Sequence, residues 1–319
     1  VMLKIVMALK VAIQLLLLLL ILSLVASENT PNIVFIFADD LGWNHVSWNN
    51  PAVLSPRMQE LAETGVILDQ SYVQPLCTPS RSALMTGMYP FHLGRQHGVL
   101  WAVPTGLSRN YTLVPEKLST LGYNTHMIGK WHYANYPLRG NKGEVWEGGT
   151  RGAGFIHSPL LQGIPRVYNG LMHVTDWYNT LLDIAGEKNL PNNDGFSQWE
   201  ALRTGQSPSP RNTLIYNIDE TDPANKVIGA IRVGNYKYVM GERDDINNEE
   251  GPWLFDLSDD PNETSNLISE KPLLASELEE LLLGELNTLV PADLPEHDPA
   301  GDPSNWGGVV SPGWCPTNY

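Results

Sequence analysis

Asn32-Ile-Val-Phe-Ile-Phe-Ala-Asp-Asp-Leu-Gly42 decides how the chain folds. Ile33 to Phe37 is a short continuous apolar run, the pattern of a parallel strand buried on both faces. It halts at Asp39-Asp40, and Leu41-Gly42 marks a turn. Successive strand residues face opposite sides, so both carboxylates reach one ion only if the strand has ended before them. Two hard oxygen donors suit Ca2+ or Mg2+. An Asp-rich turn that caps the next segment is the plainer account of the pair taken alone.

Working outward, Ser55-Pro56 opens a helix with Met58, Leu61 and Ala62 on its apolar face, and Gly65 ends it. Val66 to Val73 reads as a strand. Cys77 to Pro79 leads into a second helix that runs through Met85 and stops at Gly87, and a third helix spans Thr112 to Leu121. Tyr123 to Ile128 reads as another strand, followed by a loop at Gly129 to His132. Such alternation predicts an α/β fold with a mostly parallel central sheet and helices on both faces. Chemistry in these sheets sits at the carboxyl ends of strands, where Asp39, Asp40, Lys130 and His132 fall. The second half differs. A helix is expected over His173 to Ala185, then antiparallel strands at Leu214 to Ile218, Val227 to Val233 and Tyr236 to Met240, with Gly234-Asn235 as a hairpin turn. Pro272 to Thr288 reads as a helix, and the tail from Leu289 as irregular. The expected division is a signal peptide at 1–27, an α/β domain at 28–210 and a smaller antiparallel α+β domain at 211–319.

Charge narrows the function. The net charge of −15 lies wholly within residues 242–298, where 17 acids face Arg243 and Lys271. The remainder is neutral, so no basic face tracks a phosphate backbone, and nucleic acid is excluded as a partner. The acidic block reads as a solvated face. Cys77 and Cys315 are too few for a disulfide framework. Lys4 and Lys10 precede an apolar run from Val11 to Ala26, the pattern of a secretory signal cleaved near Ser27; a retained signal anchor is the other reading. With cleavage, no stable membrane insertion is expected. Asn110 and Asn262 head glycosylation sequons and fit that route.

Cys77-Thr-Pro-Ser-Arg81 carries the strongest chemical signal. A cysteine just before a Pro-Ser helix start sits where helix N–H groups stabilise anionic oxygen or sulfur. Arg81 adds a fixed positive fork. A buried inert thiol is the bland reading. Gly129-Lys-Trp-His132 sets a cation and an imidazole at another strand end, and Lys142 is a weaker candidate.

These segments together, with Leu76 to Gly87, Trp146-Glu-Gly-Gly, Asp176-Trp and Leu254-Phe-Asp-Leu, resemble the sulfatase family. His92-Leu-Gly-Arg-Gln-His97 and Thr125 to His132 look most like its arylsulfatase B (N-acetylgalactosamine-4-sulfatase) branch, which acts on sulfated glycosaminoglycans. The resemblance implies a sulfatase/alkaline-phosphatase-like fold and hydrolysis of sulfate esters, of aryl or carbohydrate alcohols. It implies that a formylglycine-generating enzyme oxidises Cys77 in the ER, and that the aldehyde hydrate of the product attacks sulfur. Asp39, Asp40 and modified Cys77 would hold one Ca2+. Arg81 would hold the nucleophilic oxygen, Lys130 and Lys142 would contact sulfate, and His132 would assist its release. The implied location is the secretory pathway, ending in lysosome or extracellular space.

The family also carries a long stretch after the Lys-Trp-His loop, which supplies a second histidine, the general acid for the leaving alcohol, and an Asp-Asn pair that completes the metal site. Here only Tyr133 to Tyr136 separate His132 from Pro137. Asn193-Asp194, His157 and His173 match other segments and are no substitutes. Ca2+ prefers 6–8 oxygen ligands, so the implied site is half built. A join this abrupt points to a splice form or a gene-model error. Two other functions stay open: a non-catalytic secreted binder of sulfated glycans, and a phosphomonoester hydrolase on a related scaffold.

Overall fold

The structure is a computed structural model that describes residues 30–97, 107–126, 138–140, 143–219, 227–244, 249–292 and 299–306. The expected signal peptide, the Lys-Trp-His loop, Lys142 and Cys315 lie outside these residues. Pro56 begins α1 (Pro56–Glu63), since its fixed φ suits the first helical position. Ser55 makes no side-chain cap. Its hydroxyl instead pairs with that of Ser47 at 2.7 Å, tying α1 to the segment beyond Gly42. β1 (Val66–Tyr72) follows, then α2 (Cys77–Thr86), which ends on Gly87 with φ +70°. A Cβ at Gly87 would stand 2.3 Å from Asn193 Nδ2 and 2.8 Å from Tyr178 Cβ, so the stop is steric as well as conformational. α3 (Val114–Thr120) occupies the centre of the predicted third helix.

After α4 (Glu147–Thr150), β2 (Arg151–Ile156) runs antiparallel to β1. β3 (Arg166–Tyr168) and β4 (Met172–His173) both lie parallel to it. The result is an α/β architecture built on a mixed sheet with β1 at its centre. α5 (Asp176–Ile184) and α6 (Trp199–Thr204) complete this half. Val66, Leu68, Tyr168 and Met172 of the sheet pack on Ala201 and Leu202 of α6.

Three expectations are corrected here. Ile33 to Phe37 is extended but belongs to no sheet, and it is buried on one side only: Val34 and Ile36 are 84% and 86% exposed. Both edges of β1 are taken, one by β2 and the other by β3 and β4, so a further strand could join this sheet only at an outer edge, and Ile33 to Phe37 does not pair with β2, β3 or β4. Residues 123–126 form no strand, and the rest of that predicted element lies outside the described residues. His173 belongs to β4 rather than to the following helix; the Asp176 carboxylate accepts its backbone N–H at 2.9 Å and starts α5 three residues later.

The three antiparallel strands expected after residue 210 form, whereas Glu263 departs from the solvated face expected of the acidic block and is fully buried. β5 (Thr213–Asp219), β6 (Ile228–Val233) and β7 (Tyr236–Met240) are antiparallel, with Gly234 at φ +58° in the hairpin turn. β8 (Arg243–Asp244) and β9 (Glu249–Glu250) form a short ribbon, and β10 (Trp253–Asp256) joins β7. One face of this sheet is covered by Ala275, Leu278 and Leu282 of α7 (Pro272–Gly284), which ends in a 3-10 turn through Thr288. The other face meets Tyr72 and Trp146 of the first half.

That seam holds charge. Lys237 Nζ lies 3.2 Å from Glu147 Oε1 and 2.8 Å from Glu263 Oε1, all three side chains fully buried. Tyr72 and Tyr216 each donate a hydroxyl to Glu147 at 2.8 Å, and the Glu147 backbone N–H donates to Glu263 Oε2 at 2.7 Å. Burial pushes Glu147 upward, but Lys237, Arg151 and Arg232 outweigh it and hold the carboxyl below its usual range. Glu263 has fewer donors. Burial, with the charge of Glu147 adding to it, pushes Glu263 up to about 7 against the pull of Lys237.

The sign follows from linkage. A carboxyl raised in the fold gives stability that is complete below its ordinary range and lost as pH climbs through the raised value. Glu147 acts oppositely, and only in acid. We therefore expect a higher melting temperature at about pH 5 than at about pH 8. Glu263→Gln should flatten that difference. An identical pH slope in the variant would rule out Glu263 as its source.

Candidate active site

Asp39 and Asp40 end the extended segment, and the chain turns at once. Asp40 sits at φ +52°, in the left-handed region that Asp tolerates better than most residues. His45 donates its backbone N–H to the Gly42 carbonyl at 3.0 Å, and Gly42 bridges to Gly152 of β2. The loop is thus fixed to the sheet just past the carboxylates.

Cys77 is the first residue of α2. Leu76 precedes it in extended conformation and offers no side-chain acceptor, so the opening N–H groups of the helix are uncapped by it. Pro79 falls within the first turn, where a missing N–H costs nothing. Ser80 secures the approach: its hydroxyl accepts the Gln74 N–H at 3.1 Å and donates to the Gln74 carbonyl at 2.9 Å. Gln74 in turn reaches His173 Nε2 at 3.0 Å. Burial, aided by the nearby Arg211 charge, drives the His173 pKa well down, so this imidazole is neutral and structural.

Arg81 lies one turn on. Its Nη2 stands 3.8 Å from Asp39 Oδ2, and its guanidinium covers the Phe37 ring at 5.5 Å. The buried Nε and Nη2 atoms make no hydrogen bond among the described residues. Buried donors of a cation left in this state suit an anionic oxygen. One cavity of about 600 Å³ is lined by Asp39, Asp40, Cys77 and Ser80 at one end and by Phe35, Phe155 and Trp177 beyond.

The structure therefore brings Asp39, Asp40 and Cys77 to one cavity with Arg81 against Asp39. Lys130, His132 and Lys142 lie outside the described residues. Asn110 and Asn262 are exposed, as glycan attachment requires. Arg151, which nothing in the sequence marked as functional, lines the same cavity, as does His157, which the sequence assigned to another segment. Arg151 follows Gly148-Gly149, whose lack of side chains was the only signal for it.

A calcium ion is implied by the family resemblance, and the described residues do not fit one. No group of three or more His, Cys, Asp or Glu among them is arranged to hold a metal. Asp39 already faces the guanidinium of Arg81. Two carboxylates fall well short of a 6–8 oxygen shell.

The sulfatase family profile matches residues 31–141. Arylsulfatase J of Mus musculus is 25% identical over 485 aligned positions, which cover 90% of this chain and 81% of that protein. Since 90% of this chain is about 287 residues, about 200 aligned positions have no counterpart in it. N-acetylgalactosamine-6-sulfatase of Mus musculus is 35% identical over 136 residues, 39% of this chain and 26% of that protein. In that match the chain spans about a quarter of the relative's length. Among solved structures, PsFucS1 sulfatase from Pseudoalteromonas sp. superposes with a TM-score of 0.65 at 16% identity, over 84% of this chain and 92% of that one. This chain has the fold of that sulfatase.

Ser80 gives the local test. Ser80→Ala strands the N–H and carbonyl of a buried loop, which costs about 1–3 kcal/mol. Urea unfolding should read that loss. A change below about 0.5 kcal/mol would mean that Gln74 is held by other groups.

Proposed function

We propose that this homologue of the arylsulfatases, whose residues 31–141 carry sulfatase-family sequence, descends from sulfuric ester hydrolases and retains their nucleophile without their full metal site. The observation that supports this most is the shared cavity of Asp39, Asp40 and Cys77, with buried unfilled donors on Arg81 beside it. Cys77 would be converted to formylglycine by a formylglycine-generating enzyme during ER passage. Once formed and hydrated, that group would supply the hydroxyl nucleophile toward sulfur at position 77.

This chain's own groups would do the following. The start of α2 and Arg81 hold negative charge at position 77. Lys130 and Lys142 neutralise the sulfuryl oxygens, and His132 takes the proton during sulfate release. No step is assigned to calcium. The substrate class is a sulfated carbohydrate or an aryl sulfate, in keeping with the names of the relatives, and the arylsulfatase B branch is our finer assignment. The division at 28–210 and 211–319, and a lysosomal or extracellular destination, belong to the same proposal. Among the described residues no helix is long and apolar enough to cross a membrane.

The incomplete metal site favours one second reading, a protein that binds sulfated glycans without turning them over. Mass spectrometry of the Cys77 peptide from ER-processed protein should find the aldehyde. Turnover of a fluorogenic aryl sulfate should be detectable but about 10²–10⁴ below a relative with its general acid intact. Cys77→Ala should abolish it. An unmodified thiol defeats the hydrolase reading; glycan binding with no turnover, unchanged in Cys77→Ala, establishes the second. Faster turnover of the matched phosphate ester would reassign the chemistry.

A further inference from the structure

The two glycosylation sequons stand outside the catalytic reading, and the fold treats them differently. In Asn262-Glu263-Thr264 the acceptor Asn262 is exposed, while the middle residue Glu263 is fully buried. Glu263 sits at φ +56°, and its carboxylate takes Lys237 Nζ at 2.8 Å and the Glu147 backbone N–H at 2.7 Å. Its backbone is held as well. The N–H donates to the Asp260 carbonyl at 3.2 Å, and the carbonyl accepts from Arg139 Nη1 at 2.6 Å. Asp260 also claims Thr264: its carboxylate accepts the Thr264 hydroxyl at 2.9 Å and the Thr264 and Ser265 N–H groups at 2.8 Å each. In Asn110-Tyr111-Thr112 both Asn110 and Thr112 are exposed, and neither side chain makes a hydrogen bond among the described residues. The ties there are weaker: Tyr111 donates its N–H to Ser108 at 3.2 Å and its hydroxyl to His92 at 3.4 Å, and the Thr112 carbonyl accepts from Tyr178 at 3.2 Å.

Transfer of an oligosaccharide from a lipid pyrophosphate forms a bond from sugar C1 to the asparagine Nδ2. It breaks the C1–O bond to pyrophosphate, which departs, and the amide nitrogen loses one proton. The transferase reads the Thr hydroxyl together with the Asn amide, so the whole tripeptide must lie in its groove. At Asn262 such a withdrawal pulls the Glu263 carboxylate away from Lys237 and leaves a buried cation short of a partner. It also strips Thr264 from Asp260 and orphans the Arg139 donor. A network buried to this depth opens rarely in a folded chain. The reverse order meets no obstacle, because the Asn262 side chain is exposed and a glycan already on it leaves Glu263 free to dock. At Asn110 the acceptor amide and the Thr112 hydroxyl are already presented to solvent.

We propose that Asn262 accepts an N-linked glycan only before the second half folds, whereas Asn110 stays an acceptor in the folded chain. This goes beyond the catalytic reading and rests only on passage through the ER. The full chain is tested in two states, with occupancy of each site read by mass spectrometry of its peptide. Translated into ER-derived microsomes, the nascent chain should carry glycan at both asparagines. Made without microsomes, folded, and then offered to solubilised transferase with its lipid-linked donor, the chain should be modified at Asn110 and at least about tenfold less at Asn262. Asp260→Ala, which frees Thr264, should raise modification of Asn262 in the folded chain, with a cooperative melt showing that the fold persists. Should that variant fail to fold, Arg139→Leu, which frees the Glu263 carbonyl from outside the tripeptide, takes its place. A folded chain that accepts glycan at Asn262 as readily as at Asn110 overturns the proposal. So does a folded chain bare at both sites, a nascent chain bare at Asn262, or a folded variant in which Asn262 is no more reactive than in the wild type.

Discussion

A strand has two edges, and β1 has spent both. β2 takes one edge, β3 and β4 the other, and the apolar segment at Ile33 to Phe37 has side-chain packing on one face and no hydrogen-bonded neighbour among the described residues. Much follows from this placement outside the sheet. The space beside the unpaired segment is the cavity that Asp39, Asp40 and Cys77 line. The carboxylates are placed by side-chain contacts of Phe35 and Phe37 and by the Gly42–Gly152 bridge, rather than by a sheet ladder. A catalytic end of a strand is ordinarily rigid because the ladder makes it so. Here aromatic packing and a single bridge take the place of the ladder, and they resist sliding less well than a row of hydrogen bonds.

The seam between the two halves shows the opposite economy. Glu147 is satisfied by two tyrosine hydroxyls and Lys237, and Arg232 meets the Tyr72 hydroxyl at 2.6 Å. Removing any one partner would leave a buried charge uncompensated, a far larger penalty than the net worth of an intact pair. The network therefore fixes how the antiparallel sheet sits on the mixed one, although apolar residues would pack there as tightly. Because Glu147 opens α4 immediately before β2, the same contacts hold the strand that bears Arg151 and Gly152 against the site. Docking of the second half and geometry of the cavity are coupled through one short helix.

The sequence was most readable where a single local rule decides. Pro56 at a helix start, Gly87 at a helix end and the Gly234-Asn235 hairpin each required only the chemistry of one or two residues. It was least readable where partners must be counted. The run at Ile33 to Phe37 has the pattern of a doubly buried strand, yet pattern cannot say whether neighbours exist. Lys237 sits in a strand whose alternation permits a solvent-facing side, and nothing local marks it as a fully buried cation between two distant carboxylates. Cys77 and Arg81 were legible as a motif because their spacing along one helix turn is itself the geometry. Arg151 and His157 were not, since their relation to Asp39 is made only by the antiparallel return of β2.

Charge balance is where fold and activity separate. Position 77 needs only the start of α2 and the loop held by Ser80, and both are intact. Transfer of a sulfuryl group also brings negative charge up to two aspartates, which repel it unless cations intervene. Near the cavity, Arg81 faces Asp39 and Arg151 is paired with Asp69, and these two guanidiniums cannot offset the carboxylates and an incoming sulfate together. In the proposed function the rest of the positive charge falls to Lys130, His132 and Lys142. A chain of this composition can keep its nucleophile correctly set while the electrostatic gain that lowers the barrier is lost. Under the proposed function, sulfate recognition and sulfate turnover would respond to different residues, the first to the lysines and the second to the completeness of the acid and metal groups around position 77.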